Sequence, residues 1–170
     1  GKYIKGRTGD LAIFKFLYYI NKVAEKKGGK VISLLGNHEL MNVDGDFRFI
    51  SKNDIIYLTK LNLIDEHEEF KFRTEINSKE ALELRKQLFK KGNSLAKFMA
   101  CTRQSAIIIG SNLFVHAGII PKLAKKYKIE EINTLIRKWL LNIINIDENK
   151  RDIGSVKDIL YNSQLSPFWV

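Results

Sequence analysis

An amide, an imidazole and a carboxylate stand in a row at Asn37, His38 and Glu39, introduced by Gly36. An asparagine oxygen can bind a hard or borderline cation, and an imidazole can bind metal or move protons near neutral pH. The block ends the apolar run Val31-Ile32-Ser33-Leu34-Leu35, which reads as a buried strand of the parallel type. In open α/β sheets, chemistry gathers just beyond the carboxyl ends of such strands. A second histidine has the same placement. His116 closes the run Leu113-Phe114-Val115 and is followed by Ala117-Gly118, 78 positions after His38. One strand-end histidine is as often structural as functional; two, one of them joined to Asn and Glu, point to a site that folding must assemble.

The elements that would position these residues follow from periodicity and punctuation. Asp10 is placed to cap a helix running to about Lys27, with Leu11, Phe14, Leu17, Tyr18 and Ile20 as a packed apolar face and Gly28-Gly29 as its stop. After the strand at 31–35, residues 40–76 read as irregular and polar, with Asn42, Asp44, Gly45 and Asp46 as turn formers. Ser78 opens a helix with Glu80 and Glu83 near its start and Lys90-Lys91 near its close, ended by Gly92, and residues 94–100 continue as a helical turn. Two apolar runs, 105–109 and 113–115, joined through Gly110-Ser111-Asn112, read as a hairpin. Beyond Pro121, Ile129, Ile132, Leu135, Ile136, Trp139, Leu140 and Ile143 keep helical spacing, a core stripe rather than a cofactor box.

Composition sets the outer bounds. A chain of 170 residues, 45% hydrophobic and 28% charged, is one domain's worth of ordinary globular protein. No apolar run approaches the roughly 20 residues that span a bilayer, and the opening Gly1-Lys2-Tyr3-Ile4-Lys5 is no signal peptide. A single cysteine, Cys101, excludes an internal disulfide and fits a reducing compartment, with a buried structural thiol as its reading. The net charge of +10 comes mostly from lysine, scattered apart from pairs at 26–27, 90–91 and 125–126. Solvated helix faces account for it better than a nucleic-acid surface does. Arg48 and Arg103 read as surface or structural arginines, and His67, within Asp65-Glu66-His67-Glu68-Glu69, as part of a solvated acidic loop.

With its two strand-end blocks the chain resembles the calcineurin-like metallophosphoesterase superfamily, in which Asn-His-Glu follows one strand and a hydrophobic-His-Gly/Ala-Gly block follows another. The longer string Leu34-Leu35-Gly36-Asn37-His38-Glu39-Leu40-Met41-Asn42, with Gly45-Asp46-Phe47-Arg48 after it, is similar to the bacterial and Shewanella-like branch of the serine/threonine protein phosphatases. The resemblance implies an α/β fold: an incomplete metallophosphoesterase-type β-sandwich with flanking helices in α-β-β-α layers. Residues 1–170 would be a single calcineurin-like phosphoesterase domain, an interior segment of a longer chain. It implies Asn37 as a metal ligand through its side-chain oxygen, His116 as an imidazole ligand of the second metal, and His38 as the general acid that protonates the leaving alkoxide. Glu39 would orient neighbouring groups. The implied cofactors are two divalent ions (Mn, Fe or Zn), which activate water and clamp phosphoryl oxygens. The implied substrates are phosphorylated proteins or small phosphoesters, handled in the cytoplasm.

Other blocks of that pattern are missing. An Asp-x-His and a Gly-Asp-x-x-Asp-Arg block belong upstream of Asn37, yet Gly9-Asp10 is followed by Leu11, Ala12, Ile13 and Phe14, and reads as a helix cap. A late histidine block and an aspartate partner for His38 are missing too, so about half of a dinuclear site is present and weak metal binding is expected. Two further readings stand behind the phosphatase: a nucleotide or dinucleoside polyphosphate hydrolase of the same fold, and a non-catalytic basic binding module on a decayed scaffold.

Overall fold

The computed structural model describes residues 9–51, 54–55, 78–144 and 151–169; the acidic loop around His67 lies outside them. The chain divides into two compact units, one formed by Gly1–Val31 with Phe47–Leu88, the other by Ile32–Asp46 with Phe89–Val170.

In the first unit, helix α1 spans Asp10–Glu25. Its N-cap is Gly9, one residue earlier than the sequence suggests. Asp10 is instead the first helical residue: it accepts the Leu11 amide at 2.9 Å and pairs with the fully buried guanidinium of Arg85. The helix ends as expected. Gly28 takes φ +76 and the Gly29 amide returns to the Ala24 carbonyl at 2.9 Å, the hydrogen-bond pattern of a Schellman stop. The packed face is narrower than the sequence implies. Leu11 and Phe14 are buried, but Tyr18 is exposed, as are Ile13, Phe16, Tyr19 and Val23, so burial fades after the first turns. Helix α3 (Ser78–Phe89) turns Ala81, Arg85 and Leu88 inward at four- and three-residue steps, and the Arg85 guanidinium lies over the Phe47 ring.

The second unit holds both small sheets. Strand β1 (Ser33–Leu34) pairs in parallel with β2 (Arg103–Gln104), and β3 (Ala106–Ile109) pairs antiparallel with β4 (Asn112–Val115). The hairpin loop is two residues, Gly110-Ser111, with Gly110 at φ +61; a positive φ at the first loop position only is the II′ pattern that a glycine supplies. Helix α4 (Ser94–Thr102) buries Leu95, Ala96, Met99 and Ala100, and packs against α6 (Ile129–Leu140). Helix α6 in turn packs on β3 and on α7 (Arg151–Tyr161), with Ile132, Ile136, Trp139 and Leu140 buried. Two expectations fail here. Ile143 is exposed, because Asn142 takes φ +59 and the Ile143 amide bonds back to the Lys138 carbonyl, ending the helix before the stripe reaches it. Cys101 is exposed rather than buried, since it sits one step round α4 from the buried pair Met99 and Ala100.

Short helices complete the unit. Residues 37–43, read as turn and irregular chain, form α2 (Asn37–Val43), with Asn42 inside it and Gly45 (φ +78) turning the chain afterwards. Helix α5 spans Pro121–Lys126. Among the described residues, no helix is long and apolar enough to cross a membrane.

Candidate functional site

The site begins where β1 ends. The Leu35 amide donates to the Gln104 carbonyl at 2.8 Å, carrying the parallel ladder up to the buried Gly36. Gly36 then serves as N-cap of α2 with an extended backbone (φ −112, ψ 174). It has no side chain with which to cap the helix. Glu39, three residues on, reaches back: its Oε2 accepts the Gly36 amide at 2.7 Å. That is the carboxylate half of a capping box, and it places a negative charge at the positive end of the helix. The Gly36-Asn37-His38-Glu39 block is therefore the opening turn of a helix rather than a free turn.

Glycine at position 36 has a spatial reason. A Cβ there would stand 2.9 Å from Glu39 Oε2 and 3.1 Å from His116 Cε1. The His116 ring thus lies against the strand end itself. Its Nε2 is 3.1 Å from Asn37 Oδ1, across 79 positions of chain. An amide oxygen carries no proton, so the ring nitrogen donates.

His116 is pinned from both sides. It directly follows β4, whose last residue Val115 is in register with Ala106. The start of β3 is clamped by Asn133 of α6, which accepts the Ser105 and Ala106 amides at 2.7 and 3.1 Å and donates to the Ala106 carbonyl at 2.8 Å. Just after the histidine, the Ala117 amide donates to the Pro167 carbonyl at 3.1 Å. Pro167 lies between buried Ser166 and Phe168, so the apolar ending of the chain supports the site.

The structure brings Asn37, Glu39 and His116 together, as their motifs suggest. His38 occupies the next position of the helix. Successive helical residues point about 100° apart; with Asn37 turned toward His116, the His38 side chain is exposed, while its carbonyl accepts Asn42 Nδ2 at 2.7 Å. Arg48 is exposed and lies over the ring of Phe49. Arg103 is the residue whose importance the sequence hides. Only 8% exposed, it donates from Nη1 to the Leu34 carbonyl at 3.2 Å. Burial pulls its guanidinium below the ordinary value, and the charge of Glu39 works against that pull. A buried arginine two positions before an apolar strand could be suspected from sequence, but nothing local says what it faces.

Whether these residues suit a metal is a question of donor geometry. Two ligands bound at right angles, each about 2.1 Å from one ion, stand roughly 3 Å apart. Asn37 Oδ1 and His116 Nε2 have that separation, so they fit as two neighbouring corners of one coordination shell. No group of three or more His, Cys, Asp and Glu that could hold a metal occurs among the described residues; the pair supplies part of a site.

Known proteins give this chain relatives of uneven standing. It is 35% identical to an uncharacterised protein of Acanthamoeba polyphaga mimivirus over 91% of its own length and 59% of that protein's. It is 26% identical to Shewanella-like protein phosphatase 2 of Arabidopsis thaliana over 77% of the chain and 39% of the phosphatase. An uncharacterised protein of Schizosaccharomyces pombe is 32% identical over 82% of the chain and 39% of that protein. The chain thus spans less than two thirds of each of these three. No family model matches it, and no solved structure matches it. The coarse result is a distant likeness to a protein phosphatase.

Proposed function

We propose that the chain carries the Asn/His part of a metal-dependent phosphoester hydrolase centre, of the serine/threonine protein phosphatase type. The observation that carries this reading is the convergence of Asn37 Oδ1 and His116 Nε2 to 3.1 Å from two different strand ends. The distant likeness to a phosphatase supports it.

In this reading Asn37 and His116 hold one divalent ion, manganese, iron or zinc, of a two-ion centre. When bound, such ions lower the pKa of a water and neutralise charge on the phosphoryl oxygens. The protein's own part is positional. Glu39 fixes the Gly36 amide, so that Asn37 leaves the strand end in one direction. His116 presents Nε2 toward the same point from β4, and loading that nitrogen requires its proton to move to Nδ1, the other tautomer. His38, exposed beside the pair, supplies the proton to the departing alkoxide of a phosphoserine or phosphothreonine. The layered α-β-β-α fold goes with this reading. It is supported by the hairpin, which exposes Ile108 and Leu113 on one face and Ile109 and Phe114 on the other, apolar surface suited to being covered by further layers.

Manganese binding tests the proposal directly. Titration with Mn²⁺ followed by electron paramagnetic resonance should show one site that Asn37→Ala with His116→Ala abolishes. Hydrolysis of p-nitrophenyl phosphate by the chain extended with its flanking sequence should fall at least a hundredfold when Asn37, His38 and His116 are all replaced. A loss below tenfold would sink the idea. Comparing phosphopeptides with nucleotides in the same assay identifies the leaving group.

A further inference from the structure

We infer that Arg103 is a positioning residue for the Asn37–His116 pair, holding the strand end and the Gly36 hinge from which Asn37 departs. The inference rests on the donor pair proposed above and adds the device that sets its geometry. Arginine is almost never fully buried unless paired, and burying it in a two-residue strand has a cost that apolar packing would avoid. Its location gives that cost a use. Arg103 is in register with Ser33, and its Nη1 donates to the Leu34 carbonyl, two residues before Gly36. The next amide, Leu35, is held by Gln104, the residue after Arg103. Two adjacent β2 residues therefore hold Leu34, the last residue of β1, and Leu35 just after it, one through a side chain and one through the backbone.

Immediately beyond that point lies Gly36, and Glu39 holds it by accepting its amide. The acidic group whose charge acts on Arg103 is that same Glu39. Cation and carboxylate bracket the hinge, one from the strand side and one from the helix side. His116 closes the third side, its Cε1 3.1 Å from where a Cβ of residue 36 would be. A small shift of the strand end would move Asn37 Oδ1 relative to His116 Nε2, because the His116 ring already lies against Gly36. A purely structural arginine would need none of this coincidence at one hinge.

The test uses Arg103→Met, Arg103→Lys and Glu39→Gln in the full chain. Two readouts go beyond folding: Mn²⁺ affinity, and the tautomer of the His116 ring from long-range proton–nitrogen spectra without metal. In the unsubstituted chain the ring should be a single Nε2–H tautomer, since that proton bonds to Asn37. Arg103→Met should convert it to a mixture and weaken Mn²⁺ binding at least tenfold, within the 10- to 100-fold typical of groups that orient metal ligands. Arg103→Lys should recover most of both, and Glu39→Gln should resemble Arg103→Met. A variant that melts lower yet keeps the single tautomer and Mn²⁺ affinity within twofold overturns the inference, leaving Arg103 a stabilising residue. If Arg103→Met does not fold, Glu39→Gln decides, and unchanged readouts there overturn it. If the unsubstituted chain binds no Mn²⁺, the metal reading fails, and the tautomer comparison alone supports or overturns the role of Arg103.

Discussion

Replacing Gly36 with alanine separates the stability of this fold from the geometry of its site. The backbone at φ −112 and ψ 174 suits any residue, so alanine adds no conformational strain, and it stabilises by about 0.4–1 kcal/mol through the unfolded chain. Against this stand alanine's poorer capping, about 0.5–1 kcal/mol, and loss of the Glu39 bond to the Gly36 amide. A bond to a charged group contributes about 1.5–3 kcal/mol; the half-buried setting of Glu39 favours the lower figure. The net loss is about 1–2 kcal/mol, or a melting point lower by roughly 5 °C in a chain of this size. The geometric effect is larger. His116 Cε1 at 3.1 Å from the new Cβ must retreat by about 0.5 Å to reach ordinary contact. The same retreat takes its 3.1 Å bond to Asn37 past the useful hydrogen-bond limit. Circular dichroism melting and Mn²⁺ titration of Gly36→Ala should therefore show a modest loss of stability with at least tenfold weaker metal binding. Unchanged Mn²⁺ affinity would refute the claim that the glycine makes room for the histidine. A stability loss above about 4 kcal/mol would show that the strand end cannot adjust at all.

Two further outcomes test other parts of the structure. Asn133→Ala removes three hydrogen bonds at the start of β3 and leaves the amides of buried Ser105 and Ala106 without acceptors; about 2–3 kcal/mol of stability should be lost by denaturant titration, and a loss under 1 kcal/mol would mean that α6 does not hold the hairpin. Tyr161 donates to Asp44 Oδ2 at 2.6 Å, and partial desolvation, then that bond, push its phenol well above the ordinary value. Below pH of about 10 both folded and unfolded chains keep this proton. Above it only the folded chain does, so stability falls as pH rises. Melting between pH 9 and 12 should show this slope reduced in Tyr161→Phe, and an identical slope would exclude Tyr161 as its source.

Much of the local structure is legible in neighbouring residues. Gly28 stops α1, Gly92 follows α3, and Gly110 turns the hairpin, because a positive φ is a local demand that glycine meets cheaply. The types and placement of Asn37, His38, Glu39 and His116 were equally visible, as strand-end residues too polar to be packing. The misreadings share a cause. Tyr18, Ile143 and Cys101 each depend on which surface another element covers, and periodicity carries no information about where that cover stops. Asn142, in a left-handed conformation, ends the α6 stripe one turn early.

Sequence alone determined which polar residue types stand together and the strand ends that carry them. Tertiary structure alone decided that Asn37 and His116 meet, that His38 is exposed, and that Arg103 lies buried beside the strand end. The physical reason is range. A cap or a turn is settled within a few residues, whereas the Arg103–Leu34 and His116–Asn37 contacts close loops of 69 and 79 positions. Burial of apolar residues, those of α4 and α6 among them, offsets the entropy of closing them.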